Sequence, residues 1–175
     1  LLAEDYENVS CEKTFMKKET LYAHVPITPF VPSHNALERC LSIFEMQVAG
    51  LQRRIETTHC KCIVVGVSGG LDSTLALLVS AQAVKNLGLP SRTLVGITMP
   101  GFGTTKRTKS NSTKLMEFLG CDIREISIVD SVRQHFADIG HDEAIKDITY
   151  ENCQARERTQ ILMDVANKEG GFVIG

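Results

Sequence analysis

The stretch "VVGVSGGLDSTLALLV", residues 64–79, decides the fold. A β-branched run ends in a glycine- and serine-rich turn, and a run of helix formers follows at once. The apolar run starts at Cys62 as "CIVVGV" and has no polar alternation, as in a strand buried on both faces of a parallel sheet. "TLALLVSAQAVKNLG", residues 74–88, is helical in composition, and Gly88 followed by Pro90 supplies a stop. The turn therefore stands beyond the carboxyl end of a strand, where open α/β sheets bind their ligands. Its glycines allow close approach to the backbone, and Ser68, Ser73 and Thr74 supply hydroxyl donors. The free N–H groups at the start of the following helix favour an anion.

Downstream, "TLVGITM" (93–99) repeats the strand type, and "TKSNSTKLMEFLG" (108–120) repeats the helix with Gly120 closing it. "IREISIV" (123–129) reads as a third strand, residues 131–139 as a short helix, 151–168 as a long one, and "GFVIG" (171–175) as a fourth strand. This alternation predicts an α/β fold, a doubly wound parallel sheet with helices on both faces. Upstream, Leu37, Leu41, Phe44, Val48, Leu51 and Ile55 recur at helical spacing as one apolar stripe. That helix is predicted to start near Ser33 or Asn35, with Glu38 three residues after Asn35 in a capping-box arrangement. "HVPITPFVPSHN" (24–35), with Pro26, Pro29 and Pro32, reads as a linker, and residues 1–22 as an arm without sustained period.

The 175 residues are 43% hydrophobic and 23% charged, enough for a real core. A net charge of −2 gives no electrostatic reason to expect nucleic acid. No apolar run approaches the ~20 residues that span a bilayer. The spacing Cys60-x-Cys62 is not that of a redox or zinc pair, and His59 beside it finds no second ligand pair at zinc spacing. The six cysteines read as reduced thiols of a cytoplasmic protein.

Two familiar loops do not fit the turn. No Lys-Ser or Lys-Thr follows the glycines, so it is not a Walker-type loop. Gly66, Ser68 and Gly70 do match G-x-S-x-G, but a hydrolase elbow needs an acid, then a histidine, and a glycine-rich oxyanion loop. Only His135 and His141 follow, and no such loop is visible. Ser68 reads as a hydrogen-bond donor, not a nucleophile.

The S-G-G-x-D-S of Ser68–Ser73 resembles the signature of the N-type ATP pyrophosphatases, whose loop grips the pyrophosphate of ATP. Three further stretches resemble NAD synthetases within that superfamily. They are "ITMPGFGTTKRT" (97–108), "LGCDIREISI" (119–128) and "ENCQARERTQILMDVANKEGGFVIG" (151–175). "TPFVPSH" and the helix after it are similar to the joint by which glutamine-dependent NAD synthetases carry a nitrilase-like glutaminase domain.

The resemblance implies an adenine nucleotide alpha hydrolase-like fold and an ATP-dependent amidation of deamido-NAD to NAD through an adenylated intermediate. Residues 33–175 would be the synthetase domain, stopping short of the family's later metal and substrate residues. Residues 1–32 would be the arm and linker at the tail of the glutaminase domain. It implies ATP bound by Gly66, Val67, Ser68, Gly69, Gly70, Leu71, Asp72 and Ser73, with Ser68, Ser73 and Asp72 catalytic and Asp72 a Mg²⁺ ligand. Asn152 and Arg156, which share a helix face with Thr159, would bind deamido-NAD near the interface of a homo-oligomer. For that face a plain charged helix, with Glu151 and Glu157 paired to arginines, stands as the other reading. Lys106, Arg107 and Lys109 are either a solvated helix start or a lid over phosphates after Gly101 and Gly103. A GMP synthetase-like enzyme and a non-catalytic ATP-binding fragment are the competing assignments.

Overall fold

A computed structural model describes residues 27, 28, 31, 34–102 and 106–175, the side chains of 106–110 excepted. The chain divides into two units, residues 1–36 and 37–175, and the second carries the sheet. The arm and the three linker prolines lie outside the described residues.

In chain order the elements are α1 (Ala36–Thr58), β1 (Ile63–Gly66), α2 (Leu71–Asn86), β2 (Leu94–Thr98), α3 (Lys106–Leu119), β3 (Asp122–Glu125), α4 (Val129–Ile139), α5 (Ile148–Glu169) and β4 (Phe172–Ile174). The four strands form one parallel sheet in the order β3-β2-β1-β4. The first three strands run outward from β1 to one side, and β4 then returns to pair on its other side.

Alternate residues of β1 enter different layers, as the two-residue period of a strand requires. Ile63, Val65 and Val67 pack with Leu77, Ala83 and Val84 of α2, with Met116 of α3, and with Val48, Leu51 and Ile55 of α1. Cys62 and Val64, with Val95 and Ile97 of β2, meet Ala166 of α5 on the opposite face. Ile63, Val64 and Val65 have no exposed surface. Helices on both sides therefore account for the unbroken apolar run: neither face of β1 meets water.

Several boundaries differ from those the sequence predicts. The apolar stripe of α1 is buried only toward its end, because Leu37 and Leu41 are 77% and 52% exposed. Asn35 has φ +50°, left-handed rather than the extended backbone of an N-cap, so the expected capping box lacks its cap geometry. The predicted third strand ends four residues early, at Glu125. Ile126 and Ile128 instead donate their N–H groups to Thr98 O at 2.9 Å and Pro100 O at 3.1 Å, and Val129 opens α4. The long helix begins at Ile148 rather than Glu151, capped by Asp147, whose carboxylate accepts the Tyr150 N–H at 3.0 Å.

At its far end α5 is tied to the edge strand β3. The Glu169 carboxylate accepts from both terminal nitrogens of Arg124, and Arg124 also donates to Asp122 at 2.6 Å. This hydrogen bond to Arg124 holds the Glu169 carboxyl below the usual glutamate range. The two side chains are 31% and 28% exposed, so solvent screening leaves the pair worth about 1 kcal/mol. With the folded carboxyl below its unfolded value, that contribution is present at neutral pH and is lost as pH falls through the folded value. Glu169→Gln is expected to cost about 1 kcal/mol in urea titrations at neutral pH, with the deficit closing once carboxylates are protonated. An equal deficit at both pH values would mean that the ion pair adds nothing by charge.

Candidate functional site

The turn after β1 sits where the strand order reverses, since β1 has β2 on one side and β4 on the other. Such a switch point splays the loops apart and leaves a crevice at the carboxyl edge. Val67 continues the ladder by donating its N–H to Ile97 O at 2.8 Å, while its side chain stays in the core. Val67 therefore leads into the turn by its backbone alone. Gly69 then takes φ +87°, a backbone conformation that L side chains rarely adopt.

The serines bond to each other and to the turn. Ser73 Oγ accepts the Ser68 N–H at 3.3 Å and donates to Gly70 O at 3.1 Å. Ser68 Oγ lies 3.1 Å from Ser73 Oγ and accepts the Gly70 N–H at 3.2 Å. With the Ser73 proton on Gly70 O, the Ser68 proton goes to Ser73 Oγ, so both hydroxyl protons are used inside the turn. Among the described residues the partners of Ser68 Oγ are thus a hydroxyl and an amide.

α2 starts at Leu71, three residues before the helical composition becomes obvious, so Leu71, Asp72 and Ser73 form its first turn. Its N-cap is Gly70, with no side-chain cap. Gly70 O accepts instead from Thr74 N at 3.1 Å and Thr74 Oγ1 at 2.8 Å. The Gly70 amide is committed to Ser68, whereas the N–H groups of Leu71 and Asp72 have no carbonyl ahead of them in the helix. Those two amides are therefore open to an anion at the helix start. Leu71 is 88% exposed, and Asp72 is exposed beside it. Gly66, the last residue of β1, makes room for α5: a Cβ there would stand 2.8 Å from Leu162 Cδ1.

On α5, Asn152 is half-buried and Arg156 exposed, in the part of the helix before the level of Gly66. Leu162 packs at the end of β1, and the helix rises about 1.5 Å per residue, so Asn152 and Arg156 stand beyond the carboxyl edge. Neither Glu151 nor Glu157 forms an ion pair with an arginine among the described residues. The sequence reasoning missed Gln154 and Arg158, the inward-facing pair of the same helix. Gln154 Oε1 accepts the Phe102 N–H at 3.2 Å, and Arg158 Nε donates to Met99 O at 3.3 Å. Burial lowers the Arg158 pKa, partly offset by the charge of Glu151. Their i, i+4 spacing on a helix rich in polar residues was the available signal. Lys106, Arg107 and Lys109 open α3, but their side chains, like all of residues 103–105, lie outside the described residues.

A four-stranded parallel sheet in 3-2-1-4 order, with this turn at its switch point, defines an α/β protein of the adenine nucleotide alpha hydrolase-like fold. The family model described as NAD synthase matches residues 43–175, and the chain belongs to that family. It is 42% identical over 153 residues to a glutamine-dependent NAD(+) synthetase of Mycobacterium leprae, covering 84% of this chain and 22% of that protein. An NH(3)-dependent NAD(+) synthetase of Methanosarcina mazei is 34% identical over 116 residues, covering 66% of this chain and 43% of that one. Among solved structures, the glutamine-dependent NAD+ synthetase of Acinetobacter baumannii in complex with ADP superposes with a TM-score of 0.71 at 26% identity. The match covers 82% of this chain and 26% of that one. The chain thus spans about a fifth of the length of its glutamine-dependent relatives. Membership of the NAD synthase family decides against a GMP synthetase-like assignment.

The left-handed residue gives the turn a sharp test. Gly69→Ala is expected to destabilise the fold by about 1–2 kcal/mol through its positive φ. Gly70→Ala, at φ −79° with only Ser68 Oγ at 3.4 Å from the new Cβ, is expected to stay within about 0.5 kcal/mol. Equal costs in chemical denaturation would show that backbone conformation is not what the turn requires of Gly69.

Proposed function

We propose that this chain is the synthetase part of a glutamine-dependent NAD synthetase, joining ammonia to the nicotinate carboxylate of deamido-NAD with ATP as activator. The observation that carries this is the Ser68–Ser73 turn at the strand-order reversal, in a chain of the NAD synthase family. Residues 33–175 form the synthetase domain. Residues 1–32 form an arm and linker toward a glutaminase domain that supplies ammonia, and the enzyme works as a homo-oligomer in the cytoplasm.

A carboxylate is too poor an electrophile for ammonia, so it is adenylated first and pyrophosphate leaves. The work of the protein is to stabilise the charge growing on that leaving group. The amides of Leu71 and Asp72 and the macrodipole of α2 point at the site from the helix start. Ser68 Oγ exchanges its bond to Ser73 for one to a phosphate oxygen, and Ser73 keeps its bond to Gly70 O, so the turn holds its shape meanwhile. Ammonia then displaces AMP from the acyl carbon. No covalent bond to the protein is needed.

The exposed Asp72 carboxylate suits a Mg²⁺ ion held mainly by phosphates and water. Among the described residues no group of three or more His, Cys, Asp and Glu gathers into a site made by protein alone. Bound there, the ion would offset phosphate repulsion as pyrophosphate leaves. Asn152 and Arg156, carried past the sheet edge by α5, hold the dinucleotide, a guanidinium being suited to phosphate or carboxylate.

In the full-length protein, Ser68→Ala is expected to slow pyrophosphate release by the equivalent of about 1–3 kcal/mol, one lost donor among several. Asp72→Asn should be far more damaging, because phosphate charge is left uncompensated. A Ser68→Ala enzyme with no turnover, together with an acyl or phosphoryl group trapped on the parent serine, would restore the nucleophile assignment.

Arg156→Ala is expected to weaken deamido-NAD binding and leave ATP binding little changed. Calorimetry with each ligand separately reads this directly, and the opposite pattern would reassign Arg156 to the nucleotide side.

A further inference from the structure

The loop between β2 and α3 has no secondary structure over Met99–Gly101, yet its backbone is held at Met99, Pro100 and Phe102. Met99 O accepts from Arg158 Nε at 3.3 Å, Pro100 O from Ile128 N at 3.1 Å, and the Phe102 N–H donates to Gln154 Oε1 at 3.2 Å. The Phe102 ring packs against Phe136 and Tyr150, with centroids 6.2 and 5.8 Å away. Gly101 is where the loop touches α5: a Cβ there would stand 2.7 Å from Gln154 Oε1, 2.9 Å from Arg158 Nη2 and 2.9 Å from Ile128 Cδ1.

Gln154 is 2% exposed. Burying an amide costs free energy unless both ends are bonded. Its Nε2 is satisfied within the helix by Tyr150 O at 3.3 Å, and its Oε1 reaches off the helix to the Phe102 N–H. The same loop borders the pyrophosphate turn. β2 pairs with β1 up to Gly66, Val67 bonds Ile97, and Met99 Cε reaches within 3.3 Å of the place where a Gly66 Cβ would be.

We propose that Gln154, assisted by Arg158, is a positioning residue for ATP, acting through the backbone of Met99–Phe102 that it holds beside the Ser68–Ser73 turn. This rests on the synthetase function proposed above. It divides α5 by face: Asn152 and Arg156 serve the dinucleotide, and Gln154 and Arg158 serve the wall next to ATP.

The test uses full-length enzyme with ammonium as donor. Gln154→Met, close in volume but without the acceptor, is expected to raise KM for ATP about tenfold, the order of one lost hydrogen bond. In the same variant, kcat should stay within about threefold and KM for deamido-NAD within about twofold, the pattern of a binding-side loss. Gln154→Glu retains an oxygen acceptor for Phe102 and should recover part of the ATP affinity. Gly101→Ala breaks the same contact from the loop side, so it should reproduce the ATP-selective loss and decides the matter alone if Gln154→Met does not fold. An unchanged KM for ATP, or equal rises for both substrates, would overturn the proposal. ATP binding by calorimetry on the same proteins separates the two ideas. If the parent makes no NAD but Gln154→Met still weakens ATP binding, the function assigned above fails and the positioning role of Gln154 stands. If ATP binds parent and variant alike, that role fails.

Discussion

Parallel pairing of β1 on both sides is the constraint from which the rest of the carboxyl edge follows. With β2 and β4 flanking it, the backbone polar groups of β1 are taken up by the ladders, and the ladder continues one residue further through Val67. A strand so placed has to be apolar on both faces, and the chain leaving it has no neighbouring strand to follow. The turn must therefore satisfy its own backbone. It does so with the two serine hydroxyls and a left-handed glycine, and this arrangement leaves the first amides of α2 open.

The second consequence concerns α5. Because β4 pairs next to β1, the helix leading into it has to cross the back of β1, and it packs Leu162 against Gly66 on the way. One end of that helix is anchored to the edge strand through Arg124 and Glu169. The other extends past the strand ends, where it meets the loop after β2. A single 22-residue element thus joins the sheet's outer edge to the rim of the candidate site.

The strands β1 and β2 were legible because burial on both faces leaves only one composition open to them. The turn at Ser68, Gly69 and Gly70 was legible as a turn because two glycines and a serine interrupt the step from an apolar strand to a helix. The start of α2 was not, since Leu71, Asp72 and Ser73 follow two glycines and the helix has no side-chain cap to announce it. β3 was drawn too long because Ile126 and Ile128 continue an apolar β-branched pattern. In the folded chain their amides serve Thr98 and Pro100, and Ile128 fills the core under α4. Gln154 and Arg158 were passed over for a different reason. Their partners lie 52 and 59 residues earlier, and a polar residue on a polar helix looks solvent-facing until the loop that covers it is in place.

The cysteines, which the proposed chemistry does not use, are distributed through the layers in a way that has an experimental meaning. All five described cysteines are free: Cys40 is exposed on α1, Cys60 is half-buried ahead of β1, Cys62 and Cys153 are buried at β1 and on α5, and Cys121, half-buried, precedes β3. Burial pushes the Cys121 thiol up to about 11 and raises that of Cys62. Only a thiolate reacts readily, so an alkylating reagent reaches these positions when the surrounding layer opens. The molecule carries its own clock. The order in which the thiols are modified under mild denaturant dates the opening of the sheet centre, its edge strand and the site-bearing helix separately, with Cys40 as the zero of time.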